Sequence, residues 1–153
     1  MKEPKLVDKR AMTVAGYSDR YTQETSTCIP ALWARFGANY MRVPHAVYGP
    51  AYGVCFNMDA ACSFDYIAGT EVSSTESLPS EFTSIQLPPT RYAIFSQQEN
   101  IAAIKDIFCA IYKEWIPGSG LVAADAPQVE CYGLTFDPAT GDGGFEIWIP
   151  VQS

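Results

Sequence analysis

The sequence contains little of what most catalytic or metal-binding sites require. His45 is the only histidine of the 153 residues, and the five cysteines show no Cys-any-any-Cys spacing. A zinc site therefore has no motif to support it, and a Ser-His-Asp triad is not indicated. The sequence also lacks a nucleophile elbow and a glycine-rich phosphate loop. We expect neither a bound metal nor a cofactor.

Long apolar runs and clustered positive charge are missing as well. No apolar stretch approaches the roughly 20 residues of a membrane-spanning helix, and the charged residues 1–5 do not begin a signal peptide. Ten Lys and Arg residues are scattered over a chain of net charge −7, whereas a nucleic-acid surface needs clustered basic residues. We therefore expect a cytoplasmic protein with reduced thiols that binds neither membranes nor nucleic acid directly.

The sequence does contain regular patterns of apolar residues. Apolar residues at steps of three and four predict helices over about 28–40 and 100–115, the second ending at Pro117-Gly118. Six further segments are rich in Tyr, Val, Ile, Phe and Trp and are separated by turn residues, which is typical of strands. These strands are expected at about 5–18, 51–58, 64–72, 83–96, 129–136 and 144–151.

The order of these elements repeats. Each half is a strand, a helix and two strands, and the linker 73–81, rich in Ser, Glu and Thr, separates repeats at about 1–72 and 83–153. We predict one domain over 1–153 of the α+β class. Duplicated βαββ units would form a pseudo-two-fold, antiparallel, barrel-like body with two covering helices and an internal pocket where the copies meet.

The two halves can be overlaid residue by residue. The offset is 78 around Tyr17, 75 in the helices and 80 around Tyr52, and such small drifts indicate loops of different length in a diverged duplication. This overlay places Glu130 opposite Pro50, so the carboxylate would have no charged counterpart in the first half.

Glu130 is the first candidate for a binding residue. Alternation along its otherwise apolar strand places Glu130, Tyr132 and Leu134 on one face. If that face points inward, the unpaired carboxylate either waits for a cationic partner or retains a proton. The alternative is a glutamate at a strand end that faces water, as most glutamates do.

Glu146 and a set of aromatic residues are the remaining candidates. Glu146 shares a strand face with Trp148, although Ile147 and Ile149 could equally form the core face. Ring faces attract organic cations, but core packing explains each ring equally well when it is taken singly. The aromatic candidates are Trp33, Tyr48, Tyr66, Phe108, Trp115, Tyr132 and Trp148.

Eight short segments, spread in order over nearly the whole chain, carry a resemblance to a known family. They are residues 15–18, 29–36, 52–54, 64–72, 91–95, 112–117, 129–132 and 146–151. These segments resemble the GyrI-like small-molecule-binding family, which also forms the effector-binding part of AraC/XylS-type and MerR-type regulators.

The resemblance implies a duplicated βαββ barrel with a hydrophobic pocket in which one acidic residue meets lipophilic cations. The Glu-any-Tyr motif of the family falls on Glu130-Cys131-Tyr132, and its pocket aromatic on the last strand falls on Trp148. The helix-turn-helix region of the family's regulators has no counterpart in these segments. A link to transcription would therefore need a separate DNA-binding partner.

The leading hypothesis is a monomeric, non-enzymatic module that binds hydrophobic, preferably cationic, small molecules, with Glu130 supplying the charge. One alternative is a hydrolase of electrophilic, cyclopropane-bearing natural products, in which Glu130 and Tyr132 direct water. Another alternative is a protein-interaction module of the gyrase-inhibitor kind, whose acidic surface mimics DNA.

Overall fold

The structure is a computed structural model that describes residues 3–152; Met1, Lys2 and Ser153 of the predicted domain lie outside the described residues. The strands are β1 Lys5–Lys9, β2 Met12–Tyr21, β3 Ala46–Phe56, β4 Phe64–Val72, β5 Thr83–Leu87, β6 Thr90–Gln97, β7 Gln128–Tyr132 and β8 Phe145–Pro150. The helices are α1 Ile29–Asn39, α2 Ile104–Ala110 and α3 Ile116–Ser119, with a π-helical turn at Ile111–Trp115 between the last two. Across this range, every helix is too short or too polar to cross a membrane.

Each of the two long predicted strands, 5–18 and 83–96, is divided into two strands. The first break falls between β1 and β2, and the second falls at Pro88-Pro89 between β5 and β6. Prolines cannot donate to a strand ladder, so a strand ends where two of them stand together. The repeating unit is therefore ββαββ rather than βαββ.

The eight strands form one antiparallel sheet in the order β1-β6-β8-β7-β3-β4-β2-β5. This order is symmetric about its centre if β1, β2, β3 and β4 correspond to β5, β6, β7 and β8. The first strand of each half pairs with the other half, because β1 lies beside β6 and β5 lies beside β2. The predicted α+β class and the duplicated, pseudo-two-fold antiparallel body are confirmed.

The two faces of the sheet bury different residues. One apolar cluster receives side chains from every strand, including Val7 of β1 and Ile85 of β5 at opposite edges of the sheet, so the sheet curls around it as a half-barrel. The convex face carries two further clusters, one between α1 and the strands β2 and β4, the other between the second helical segment and the strands β6 and β8. The helices thus cover the flanks of the sheet. The central strands β3 and β7 lie between the two covered flanks.

The second helical segment differs from the prediction of one regular helix over 100–115. Its π-helical turn, in which Ile116 donates to the carbonyl of Ile111, changes the helical phase. Pro117 therefore lies in the first turn of α3, where its missing N–H is tolerated. The segment ends instead at Gly120, whose left-handed φ of +79° makes it a favourable C-cap.

Candidate functional site

Glu130 lies on β7 at the centre of the sheet, between the two flanks that the helices cover. It pairs directly with Gly53 of β3 and with Ile147 of β8. Side chains that lie opposite each other on neighbouring strands share a face, and Ile147 belongs to the apolar cluster beneath the second helical segment. The carboxylate therefore points to the convex face, where the helices lie, and the solvent-facing alternative for Glu130 is wrong.

The strand register gives an overlay of the two halves different from the one based on sequence. One row across the sheet runs Tyr17, Ala68, Gly53, Glu130, Ile147 and Phe95. Tyr17 and Phe95 occupy equivalent places in β2 and β6, so the centre of this row makes Gly53 the counterpart of Glu130. The expected counterpart Pro50 is wrong, because Gly53 pairs directly with Glu130 and Pro50 lies three residues before Gly53.

Two side chains donate hydrogen bonds to the Glu130 carboxylate, and a third supports one of them. The hydroxyl groups of Tyr66 and Tyr132 both donate to Oε1, at 2.8 and 2.6 Å. The indole Nε1 of Trp33 on α1 donates to the Tyr66 hydroxyl at 2.9 Å. The Trp33 and Tyr132 rings also meet edge to face at 5.3 Å between centroids. A hydrogen-bonded chain thus runs from α1 to the acid at the centre of the sheet.

Gly53 provides the space that this arrangement needs. A Cβ atom at this position would lie 2.1 Å from the Tyr66 hydroxyl and 3.0 Å from Oε1 of Glu130. Real Cβ atoms do not approach other heavy atoms that closely, so any larger residue would displace the phenol. The glycine opposite Glu130 is therefore a requirement of the site.

The electrostatics of Glu130 are dominated by burial. Desolvation raises the pKa of Glu130, and the hydrogen bonds from Tyr132 and Tyr66 only partly oppose the rise. Burial and the nearby carboxylate raise the pKa of both phenols well above the usual range, so they stay protonated donors. None of the salt bridges within residues 3–152 includes Glu130. Its negative charge is stabilised by neutral donors alone.

Cys55 and Tyr112 belong to the same region although the sequence did not single them out. Burial and the charge of Glu130 raise the pKa of the Cys55 thiol well above its usual range. Burial raises the pKa of Tyr112 to about 12, and the charge of Cys55 contributes to that rise. Tyr112 lies in the π-helical turn and packs against the same apolar cluster as Ile111.

The structure does not bring Glu146 and Trp148 to Glu130. Trp148 pairs with Val129, one residue before Glu130, and packs in the cluster on the concave face. There its Nε1 donates to Oε1 of Glu146 at 3.0 Å, and its ring lies beneath the Lys9 ammonium at 4.8 Å. The expectation that Trp148 lines the pocket of Glu130 is wrong, because neighbouring residues of a strand face opposite sides of the sheet.

The other three aromatic candidates also lie away from the carboxylate. Tyr48 is 88% exposed on the irregular part of β3. Trp115 packs edge to face on Phe95 at 5.0 Å, and Phe108 packs against the same apolar cluster under the second helical segment. Of the predicted aromatic set, the structure thus joins Trp33, Tyr66 and Tyr132 to Glu130.

Comparison with known proteins places the chain in a family. Residues 5–151 match the family described as Cass2, integron-associated effector binding protein, and the chain belongs to that family. A structure of SAV2435 bound to tetraphenylphosphonium is similar at a TM-score of 0.80, with 18% identity over 99% of this chain and 95% of that one. An integron cassette protein from the mobile metagenome of Vibrio cholerae gives a TM-score of 0.74, with 19% identity over 99% and 97% of the two chains.

The chain is also similar to part of a longer curated protein. The transcriptional regulator BrlR of Pseudomonas aeruginosa is 26% identical over 155 residues, which cover 96% of this chain and 54% of the regulator. The chain therefore spans about half the length of that relative. Together with the family match, this relative supports small-molecule binding as the general function of the chain.

Proposed function

We propose that the chain binds lipophilic organic cations in the cleft between its helices, with Glu130 as the ionic partner. The observation that carries this proposal is a desolvated carboxylate that has hydrogen bonds only from neutral groups. A cation would complete the site, because burial strengthens the attraction between opposite charges.

The aromatic rings support a cation of organic rather than inorganic type. Trp33, Tyr66 and Tyr132 surround the carboxylate with ring surface, which gives apolar contact area and attracts cations at about 0.5–2 kcal/mol per ring. Tetraphenylphosphonium, the ligand in the structure of SAV2435, combines a delocalised positive charge with apolar rings. A ligand of this chemistry fits an acid among aromatic side chains.

Titration with a pair of ions tests the proposal. Tetraphenylphosphonium and tetraphenylborate have nearly the same size and shape but opposite charge, and binding of either can be followed by tryptophan fluorescence. We expect the wild type to bind the cation and discriminate against the anion. The Glu130→Gln variant should bind the cation at least about 30-fold more weakly, because loss of one partner of a buried charge pair costs about 2 kcal/mol or more.

A matched control separates the cleft from the concave face. The variant Glu146→Gln removes the same charge on the opposite face of the sheet and should leave the affinity for the cation unchanged. Equal cation affinity in the wild type and in Glu130→Gln would refute the assignment of Glu130.

A second candidate function, hydrolysis, is favoured by the raised pKa of Glu130 between two phenol donors. A carboxyl group of this kind can hold and transfer a proton, and a hydrolase from Listeria innocua has a similar fold, at a TM-score of 0.57 and 12% identity. Turnover of a cyclopropane-bearing electrophile that is lost in Glu130→Gln would support catalysis. Binding without turnover supports the cation site alone.

We further propose that occupancy of the cleft is detected by a DNA-binding partner, since the BrlR relative is a transcriptional regulator. The chain itself is expected to act as a cytoplasmic monomer. Affinity capture from a cell lysate with and without tetraphenylphosphonium tests this. A DNA-binding protein retained in a ligand-dependent manner is the expected result, and the same set of proteins in both samples would contradict it.

A further inference from the structure

The loop between β7 and β8, residues 133–144, is longer than its counterpart in the first half. The counterpart, between β3 and β4, comprises residues 57–63 and contains no aromatic residue. The longer loop contains one, Phe136. The ring of Phe136 lies 4.8 Å from the ring of Tyr132, whose hydroxyl donates to Glu130. An aromatic side chain that was not counted among the residues of the Glu130 site therefore adjoins it.

Hydrogen bonds hold this loop against the start of the second helical segment. The side-chain Nδ2 of Asn100 donates to the carbonyl of Thr140 at 2.8 Å and to Oδ1 of Asp142 at 2.9 Å. At the other end of the loop, the N–H of Phe136 donates to the carbonyl of Gly133 at 3.1 Å. The loop is thus held near both of its ends. Ordering the Phe136 ring therefore costs little when a ligand binds, because a group already held in place loses little conformational freedom.

The side chains around Tyr132 differ in accessibility. Glu130, Tyr132 and Phe136 are each partly exposed. Trp33 on α1 is partly exposed as well, and its ring lies 5.3 Å from that of Tyr132. Phe145, whose ring lies 6.2 Å from that of Tyr132, is only 4% exposed and belongs to the core. Accessible ring surface thus continues from α1 through Tyr132 to the loop.

We propose that Phe136 sets the preference of the site for cations that carry aromatic arms. This inference rests on the proposed cation site and specifies its ligands further. The charge of the ligand meets Glu130, and an aryl group on the charged atom packs against the rings of Tyr132 and Phe136. Aromatic pairs gain free energy beyond the area that they bury, so a tetraaryl cation is favoured over a tetraalkyl cation. A small cation reaches the carboxylate without touching the loop.

Two phosphonium ions of equal charge measure this contact. Tetraphenylphosphonium carries aromatic arms, whereas tetraethylphosphonium is small and has none. Calorimetry on the full chain gives the affinity of the first ion, and competition against the first ion gives that of the second. We expect Phe136→Ala to weaken tetraphenylphosphonium binding about three- to tenfold, the range of one aromatic contact. Its affinity for tetraethylphosphonium should equal that of the wild type.

Two further variants control for a general disturbance of the loop. Phe136→Leu keeps an apolar side chain against Tyr132 but removes the ring, so it should also reduce the preference for the aryl ion, and it replaces Phe136→Ala if that variant folds poorly. Leu134→Ala truncates a side chain of the same loop that is 69% exposed. This control should bind both ions as the wild type does.

The possible outcomes separate this inference from the cation site on which it rests. Equal weakening of both ions in Phe136→Ala would mean that Phe136 only holds Tyr132 in place, which would overturn the inference and leave the cation site intact. Unchanged binding of both ions, or the same losses in Leu134→Ala, would overturn it as well. Failure of both ions to bind the wild type would overturn both proposals.

Discussion

The two halves of the molecule share one architecture and differ where they meet. Both contain two strands, a helix and two strands, and both first strands cross to the other half. At the centre of the sheet the first half contributes Gly53 and the second half contributes Glu130. A glutamate at both places would put two carboxylates side by side in a desolvated site, which is unfavourable. A single buried carboxylate at the pseudo-two-fold axis therefore requires that the two halves differ there.

The largest effect is expected from enlarging Gly53, the residue that the first half contributes at the pseudo-two-fold axis. Gly53→Ala should displace the Tyr66 hydroxyl, break its bond to Glu130, weaken cation binding more than tenfold, and lower the free energy of unfolding by about 2 kcal/mol. Cation titration and denaturant unfolding measure the two effects.

Gly133 provides the control for this substitution. A Cβ atom there would meet nothing within 4 Å, so Gly133→Ala should change neither affinity nor stability substantially. Comparable losses in both variants would show that the close approach at Gly53 is not the cause.

The second effect is expected from the Glu130 carboxylate, which only the second half has at the axis. Because burial raises the pKa of Glu130, the ionised carboxylate is less favourable in the folded than in the unfolded chain. The stability of the wild type should therefore decrease as the pH rises through the raised pKa. At neutral pH, Glu130→Gln should be more stable by about 1 kcal/mol, or about 2–4 °C in Tm.

The same pKa predicts the pH dependence of binding. A cation binds the ionised form, so its affinity for the wild type should fall as the pH is lowered through the raised pKa of Glu130. The affinity of Glu130→Gln for the cation should be weak and independent of pH over that range. Titrations at a series of pH values test this, and a flat profile in the wild type would contradict the role of the carboxylate.

A smaller effect is expected from the helices. Trp33 on α1 corresponds to Phe108 on α2 at the helix offset of 75, and of these two rings only an indole can donate to the Tyr66 hydroxyl. Trp33→Phe makes the helices alike at this position and should weaken cation binding about threefold, the value of one neutral hydrogen bond. Phe108→Leu, on the other helix, serves as the comparison and should leave the affinity nearer to that of the wild type.

The smallest effect is expected at the ends of the central row, where Tyr17 corresponds to Phe95. The Tyr17 hydroxyl donates to Glu81 at 3.0 Å, a bond that Phe95 cannot make. Tyr17→Phe should lower the free energy of unfolding by at most about 1 kcal/mol and leave cation affinity unchanged. A change in cation affinity would mean that Tyr17, at the end of the row, influences the Glu130 site more strongly than the contacts between them indicate.

Local patterns were sufficient to predict α1 and to place Glu130 and Tyr132 on one face of a strand. The spacing of Leu32 and Phe36 predicted α1, and both residues are buried beneath it. Strand alternation placed Glu130 and Tyr132 on one face, and their side chains form a hydrogen bond. These features depend on a helical or strand period that a few neighbouring residues determine.

Features that depend on tertiary packing were missed. A strand's period does not fix its register against its neighbours, and a shift of one residue exchanges the faces. The register Val129 to Trp148 therefore separates Trp148 from Glu130, although the two strands are adjacent. The place of Gly53 opposite Glu130 likewise follows from a strand pairing between residues distant in sequence.

The exchange of first strands has a consequence for the integrity of the molecule. β1 pairs with β6 of the second half, and β5 pairs with β2 of the first half. Each half therefore receives its edge strand from the other half. If the backbone were cleaved in the linker 73–81, the two fragments would still be joined by the β1–β6 strand pair and by the β3–β7 strand pair. Reciprocal strand donation, more than the covalent connection, makes the two repeats a single cooperative unit.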